Sequence, residues 1–188
     1  MPEIYVFGGC NGSGKTTLAD TIITTTDNEI EFVNADRIAA QLNPNNVDAV
    51  AATASRTMLN RLKALAVARI DFAFETTLAA RTFACFLKKC QATGYKINLI
   101  YVWLENPDLA IKRVAQRVAL GGHDIPQDII KRRYQRGRKN LVELYLPLAD
   151  RFQAYNNSRD ENSLIAYYDD RHNLIIVQSD IWNQIIRK

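Results

Sequence analysis

Cysteine is scarce in this chain. Three residues, Cys10, Cys85 and Cys90, make an odd number, none of them stands in C-x-x-C spacing, and two histidines offer little toward a metal site. A disulfide framework and a zinc-stabilised fold are thereby excluded as organising principles, and reduced thiols are expected. Long apolar runs are missing too: none approaches the ~20 residues that a helix needs to span a bilayer. The start, Met1-Pro2-Glu3-Ile4, runs almost at once into an apolar strand, with no charged-then-apolar leader. A cytoplasmic protein without membrane association is expected. Repeats and low-complexity tracts are also absent. What remains is 188 residues, 47% apolar and 23% charged, which suits one domain over 1–188 able to bury a core without staples.

The net charge is +4, and the excess is local. Nine of the 24 basic side chains lie between Lys112 and Lys139, against two acids, Asp124 and Asp128. Elsewhere, apolar β-rich runs alternate with longer segments of helical period, as an α/β protein with a mainly parallel sheet reads. Strands are expected at Glu3–Gly8, Glu31–Asn34, Ile70–Glu75, Lys96–Leu104 and around Gln153–Asn157. Helices are expected at Lys15–Thr25, from Asp36, after Asn43-Pro44-Asn45-Asn46, near Arg81–Ala92, from Pro107 to Leu120, and from Pro126. Leu164–Tyr168 and Leu174–Val177 read as a terminal hairpin, followed by a helix over Ile181–Arg187.

Gly9-Cys10-Asn11-Gly12-Ser13-Gly14-Lys15-Thr16 satisfies G-x-x-x-x-G-K-[S/T] at every fixed position. Glycines let backbone N–H groups turn inward around phosphates, and the helix N-terminus that follows adds positive potential. The lysine reaches the terminal phosphates, and the hydroxyl at position 16 suits Mg²⁺. The motif follows a predicted strand and opens a predicted helix, so Gly9 through Thr17 are the expected nucleotide-binding residues, with ATP or GTP and Mg²⁺ as ligands. Cys10 lies in that positive field, which can lower a thiol pKa; a small neutral loop residue is the simpler reading.

Phosphoryl transfer further requires a base near the acceptor, an acid near the metal and mobile cations. Asp36, in Asn34-Ala35-Asp36-Arg37, sits just past a strand, where open α/β sheets bind ligands; capping the next helix is its plain structural role. Glu75 ends the buried-looking run Ile70-Asp71-Phe72-Ala73-Phe74, a position suited to holding the Mg²⁺ shell. Gly121-Gly122, between two Arg-rich helices, suggests a lid over about 120–138 that brings cations over the phosphates. Arg113, Arg117, Arg133 and Arg136 are its candidates, each of which could equally sit on a solvated face. His123 has no evident role.

Taken together, these residues resemble the zeta toxin family of P-loop kinases in its short form, across roughly Ile4 to Ser158. The resemblance rests on the phosphate loop, Asn34-Ala35-Asp36-Arg37, Phe74-Glu75-Thr76-Thr77 with Arg81, Gly121-Gly122-His123-Asp124-Ile125-Pro126, and Arg132-Arg133-Tyr134 followed by Asn140-Leu141. It implies Asp36 as the base, Lys15 and Thr16 at the phosphates and Mg²⁺, and Glu75, Thr77 and Arg81 beside Asp36 at the substrate, with Glu75 also at the metal; Lys15 and, from the lid, Arg117 and Arg133 are the further expected catalytic groups. The best-known members phosphorylate the 3′-hydroxyl of the amino sugar in UDP-N-acetylglucosamine and are restrained by an antitoxin. A nucleotide-sugar acceptor and an antitoxin partner are therefore implied here. Longer members carry a lid arginine before a Thr-Pro pair, where this chain has Gly121-Gly122-His123-Asp124-Ile125-Pro126, and their substrate-pocket segments are shorter or unrecognisable here, so acceptor specificity does not carry over.

The expected fold is a three-layer α/β P-loop domain with a mainly parallel five-stranded sheet, a helical lid and a C-terminal hairpin plus helix. Two other functions share these features. A polynucleotide or other nucleotide kinase would use the basic segment as a groove, although Tyr134 alone interleaves its arginines and nucleic acid is not the expected partner. A nucleotide-switched binding module would transfer no phosphate and would need no base such as Asp36.

Overall fold

The first strand, β1 (Glu3–Gly9), is buried on both faces from Val6 onward, and a strand buried on both faces must lie inside a sheet covered on both sides. The computed structural model describes residues 1–24, 30–159 and 162–187. After β1 come α1 (Lys15–Thr24), β2 (Glu31–Val33), α2 (Ala35–Leu42), α3 (Val47–Ala68), β3 (Phe72–Thr76), α4 (Arg81–Ala92), β4 (Lys96–Trp103), α5 (Pro107–Ala119) and α6 (Gln127–Asn140). A π turn (Leu141–Tyr145) and a single 3-10 turn (Leu146–Leu148) extend α6, before β5 (Arg151–Asn156), β6 (Ser163–Tyr168), β7 (Leu174–Ile176) and α7 (Ser179–Ile186). The expected last residue of the first helix, Thr25, lies outside the described residues.

Among the described residues the strands form one sheet in the order β2-β3-β1-β4-β5-β6-β7. The first five are parallel neighbours. The expected terminal hairpin does not stand apart: β6 pairs antiparallel with β5 and β7 with β6, widening the sheet to seven strands. The chain leaves β1 to one side for β2 and β3, then crosses to the other for β4 and β5. Open α/β sheets bind ligands in the crevice at such a reversal, beyond the carboxyl ends of the strands.

Helices cover both faces. On one, α3, α4 and α7 pack over Phe72, Phe74, Leu99 and Phe152; on the other, α1 packs over Phe7, Ala73 and Ile100. A separate apolar cluster joins Cys10 to Ala110 and Val114 of α5 and to Ile125 and Ile130 around the start of α6. It moors the predicted lid against the phosphate loop.

Local chemistry sets the boundaries. α3 stops at Arg69, which caps it in the left-handed region (φ 57°). The third strand consequently starts at Phe72, two residues later than its apolar pattern suggests. Asn106 accepts from the Leu109 N–H at 2.8 Å and Pro107 opens the first turn of α5, as expected of that pair.

Candidate active site

A cleft of about 880 Å³ opens at the carboxyl edge of the parallel strands. Its floor is the phosphate loop. Gly12 and Gly14 take positive φ (73° and 87°), which turns the backbone around the space ahead of α1. The Lys15 ammonium is buried and donates to the Cys10 carbonyl oxygen at 2.9 Å, across the loop's mouth. The Thr16 hydroxyl donates to Glu75 Oε2 at 2.7 Å. That contact follows from register, because Phe7 of β1 lies opposite Glu75 of β3, so the strand-end acid reaches the first turn of α1.

Asn11, Gly12, Gly14, Lys15, Thr16 and Thr17 line the cleft, whereas Gly9, Cys10 and Ser13 lie behind it. Cys10 belongs to the apolar cluster beneath the lid, and its burial pushes the thiol up to about 11 against the opposing pull of Lys15. The positive field of the loop is therefore outweighed by desolvation, and this thiol is not activated.

Asp36 lines the cleft facing the phosphate loop. It is the second residue of α2 and does not cap it, since the Asn34 side chain accepts from the Asp36 and Arg37 N–H groups at 2.7 and 3.1 Å. The plain structural role weighed for Asp36 thus belongs to Asn34, and the carboxylate projects from the first helical turn. Glu75 and Thr77 line the same cleft. Arg81 does not: it is the exposed first residue of α4, outside the lining.

The predicted lid lies over this space, with His123 through Pro126, Ile129, Arg132, Arg133 and Arg136 contributing to the lining. Arg133 reaches the phosphate loop, its Nη1 donating to Asn11 Oδ1 at 3.4 Å. Burial lowers its pKa from the usual arginine value, and the Asp36 carboxylate across the cleft pulls it partly back. The base candidate and the lid cation therefore sense each other's charge. Arg113 also lines the cleft.

Arg117 lines the cleft as well. Its Nη2 donates to the His123 carbonyl oxygen at 2.8 Å, while its Nε is buried without a partner; the side chain braces the loop after α5. The glycine pair there closes a helix as well as joining two. Gly121 (φ 86°) donates to the Val118 carbonyl and Gly122 to that of Arg117, both at 2.9 Å, the paired bonds of a Schellman cap.

Two features of the site went unread in the sequence. Asn157, just past β5, donates from Nδ2 to the Ser13 carbonyl at 2.8 Å and so ties the phosphate loop to a distant strand end. Its signal was its position after a strand, among other polar residues. The second is an apolar wall beyond Asp36, where Ala39, Ala51, Ala54, Phe83 and Ile129 line the cleft with Ser55. Alanines spaced along α2 and α3 read as ordinary helix formers, so nothing local marked them.

A sequence model of the family described as Zeta toxin matches residues 1–171. An uncharacterised protein of Haemophilus influenzae strain Rd is 31% identical over 127 residues, which cover 67% of this chain and 88% of the relative. A solved structure of the PezAT chromosomal toxin–antitoxin system of Streptococcus pneumoniae superposes with TM-score 0.67 at 18% identity, covering 100% of this chain and 79% of the other. The AvrRxo1-ORF1:-ORF2 structure with ATP gives TM-score 0.74 at 15% identity, covering 98% of this chain and 63% of its counterpart. These two likenesses speak for the fold. Among the described residues, no helix is long and apolar enough to cross a membrane.

Proposed function

The chain belongs to the zeta toxin family of P-loop kinases, and from that premise we propose that it transfers the γ-phosphate of ATP to a hydroxyl of a small acceptor, in the nucleotide-sugar class. The observation that carries this reading is the sharing of one cleft by Lys15 and Thr16 on the donor side and Asp36 on the other, with Arg133 between the lid and the phosphate loop.

Phosphoryl transfer asks the protein for position and charge. Backbone N–H groups of residues 11–16 and the N-terminus of α1 cradle the donor phosphates, and Lys15 exchanges its bond to the Cys10 carbonyl for phosphate oxygens. Thr16 and Glu75 would hold Mg²⁺: both offer hard oxygen donors, already 2.7 Å apart, and this ion commonly takes one or two protein oxygens together with substrate phosphates. When bound, it neutralises charge on the phosphate oxygens. Asp36 accepts the acceptor hydroxyl's proton and orients the oxygen, a role its uncapped, projecting carboxylate suits. Arg133 meets charge building on the transferred group, with Arg136 and Arg113 nearby on the same cleft. The alanine-rich wall beyond Asp36 gives the body of the acceptor an apolar surface, and Thr77 and Ser55 offer hydroxyls along it.

An antitoxin is the proposed protein partner, in keeping with the toxin–antitoxin system to which one structural neighbour belongs. The decisive test is incubation of the purified protein with γ-labelled ATP, Mg²⁺ and either a metabolite extract or UDP-N-acetylglucosamine. Label is expected in a small nucleotide sugar. Label found in added RNA or DNA ends would make it a polynucleotide kinase, and ATP binding without transfer to any acceptor would make it a nucleotide-controlled binding module.

A further inference from the structure

Asn140 is among the residues that carry the family resemblance, yet it lines no part of the cleft. It is nonetheless buried and polar, at the last position of α6. Its Nδ2 donates to the Leu78 and Ala79 carbonyl oxygens at 2.8 and 3.2 Å. Five residues on, the Tyr145 hydroxyl donates to the Ala80 carbonyl at 2.6 Å. The π turn explains that spacing: its i→i+5 bonding, seen in the Leu146 N–H donating to Leu141, brings residues five apart toward one side. One turn earlier, α6 approaches so closely that a methyl group on Gly137 would run into the Thr77 carbonyl oxygen. Four consecutive carbonyls of the loop between β3 and α4 thus face the stem of α6.

That loop needs holding. Leu78 sits at φ 59°, the left-handed region, where a bulky side chain persists only if its surroundings over-determine it. Thr76 Oγ1 accepts from the Leu78 N–H at 3.1 Å, and the buried Leu78 side chain packs onto Gly8. Directly before and within the loop stand Glu75, Thr76, Thr77, Ala79 and Ala80, all on the cleft lining. Arg133, Gly137 and Asn140 recur at i, i+4 and i+7, one stripe along α6. Its upper end meets Asn11 through Arg133, and its lower end meets the loop.

We propose that Asn140 is a positioning residue that locks the acceptor-side loop Thr77–Ala80 to the stem of the lid helix, so that this wall and the arginines of α6 move as one body. The role assigned to the wall rests on the phosphotransfer reading above. The lock itself rests on the hydrogen bonds and can be tested without any acceptor.

Hydrogen exchange of the full-length protein, read by mass spectrometry with and without Mg²⁺ and the non-hydrolysable analogue AMP-PNP, decides the matter. In the wild type the analogue should slow exchange in peptides from both 127–136 and 77–81. In Asn140→Ala, exchange over 77–81 should rise roughly tenfold through local opening, with the phosphate-loop peptide unchanged. AMP-PNP should then still protect 127–136 and leave 77–81 unprotected. Should Asn140→Ala fail to fold, Tyr145→Phe removes one hydroxyl from the same lock and should show the same local pattern at a smaller amplitude. A uniform rise across the protein, a loop as protected as in the wild type, or a wild type whose lid responds to AMP-PNP without the loop would each overturn the proposal. Local release of the loop in a protein that phosphorylates no acceptor would uphold the lock while overturning the phosphotransfer reading.

Discussion

Replacing Asp36 with Asn separates catalysis from folding more cleanly than any other single change in the cleft. The side chain keeps its shape, and the helix keeps its cap, because Asn34 and not Asp36 accepts the first N–H groups of α2. What folding loses is one negative charge in the first turn of α2, about 0.3–1 kcal/mol on the helix dipole. For a chain of this size that corresponds to a fall of roughly 1–4 °C in Tm. On the proposed mechanism catalysis loses the acceptor of the hydroxyl proton, worth about 10²–10⁴-fold, or roughly 2.7–5.4 kcal/mol of barrier. The expected effects thus differ several-fold in energy and fall on different observables. ATP binding supplies a check of sign. Asp36 acts electrostatically on Arg133 across the cleft and opposes an incoming polyphosphate, so its neutralisation should leave ATP affinity unchanged or slightly tighter. The assay is single-turnover transfer of labelled γ-phosphate, with thermal melting and ATP titration as controls. A folded Asp36→Asn protein that transfers phosphate at close to the wild-type rate, or one whose loss of activity is entirely a loss of ATP affinity, would refute the assignment of Asp36 as base.

Two further outcomes are expected. Arg133→Ala should lower the transfer rate by about 10²–10³-fold, as loss of one preorganised donor does, whereas Arg117→Ala, a cleft residue whose Nη2 is already engaged by the His123 carbonyl, should lower it by less than about tenfold; rates measured in the opposite order would return the lid role to Arg117. In the native protein at pH 8, iodoacetamide should alkylate the exposed Cys85 first, because Cys10 is buried with its pKa pushed up to about 11, leaving about one thiolate in a thousand; peptide mapping that finds Cys10 labelled as fast as Cys85 would show that the phosphate loop opens readily.

The parallel core was legible because its strands carry two kinds of local information. Lys96–Trp103 and Phe72–Thr76 are β-rich runs buried almost throughout, and each is bounded by Gly, Pro, Asn or a helix signal. What such runs do not state is their neighbour. The hairpin of β6 and β7 was visible as two apolar segments around Asp169–Asn173, but its pairing onto β5 depends on a free sheet edge that exists only after the fold forms. Likewise the late start of β3 comes from Arg69 in the left-handed region, a conformation for which an arginine gives no advance sign. In the site, Lys15 and Thr16 were readable from the phosphate-loop motif, and Asp36 and Glu75 because each stands at or just past a strand's carboxyl end, where topology gathers side chains. Arg81, the exposed first residue of α4, shares the neighbourhood in sequence but does not line the cleft.

The basic segment shows why charge counting stops short of function. Its cations looked alike in the sequence, yet the fold sends them to separate tasks. Arg138 donates to the Gln184 carbonyl at the end of α7, Lys131 and Lys139 lie near Asp108 and Glu143, and Arg117 braces the loop after α5. Arg113, Arg132, Arg133 and Arg136 line the cleft, and Arg117 does so while it braces that loop. A polymer's backbone is met by cations spread along an open face, with affinity that falls steeply with salt. Cations gathered around a concave site beside a phosphate loop instead focus their field on a ligand small enough to enter. Helical phase made that selection: along α6, the stripe of Arg133, Gly137 and Asn140 turns inward, and Arg138 and Lys139 turn away from the cleft. The packing of Gly137 and Asn140 against the loop at Thr77–Ala79 fixes the phase of α6, and with it which of that helix's six cations reach the cleft.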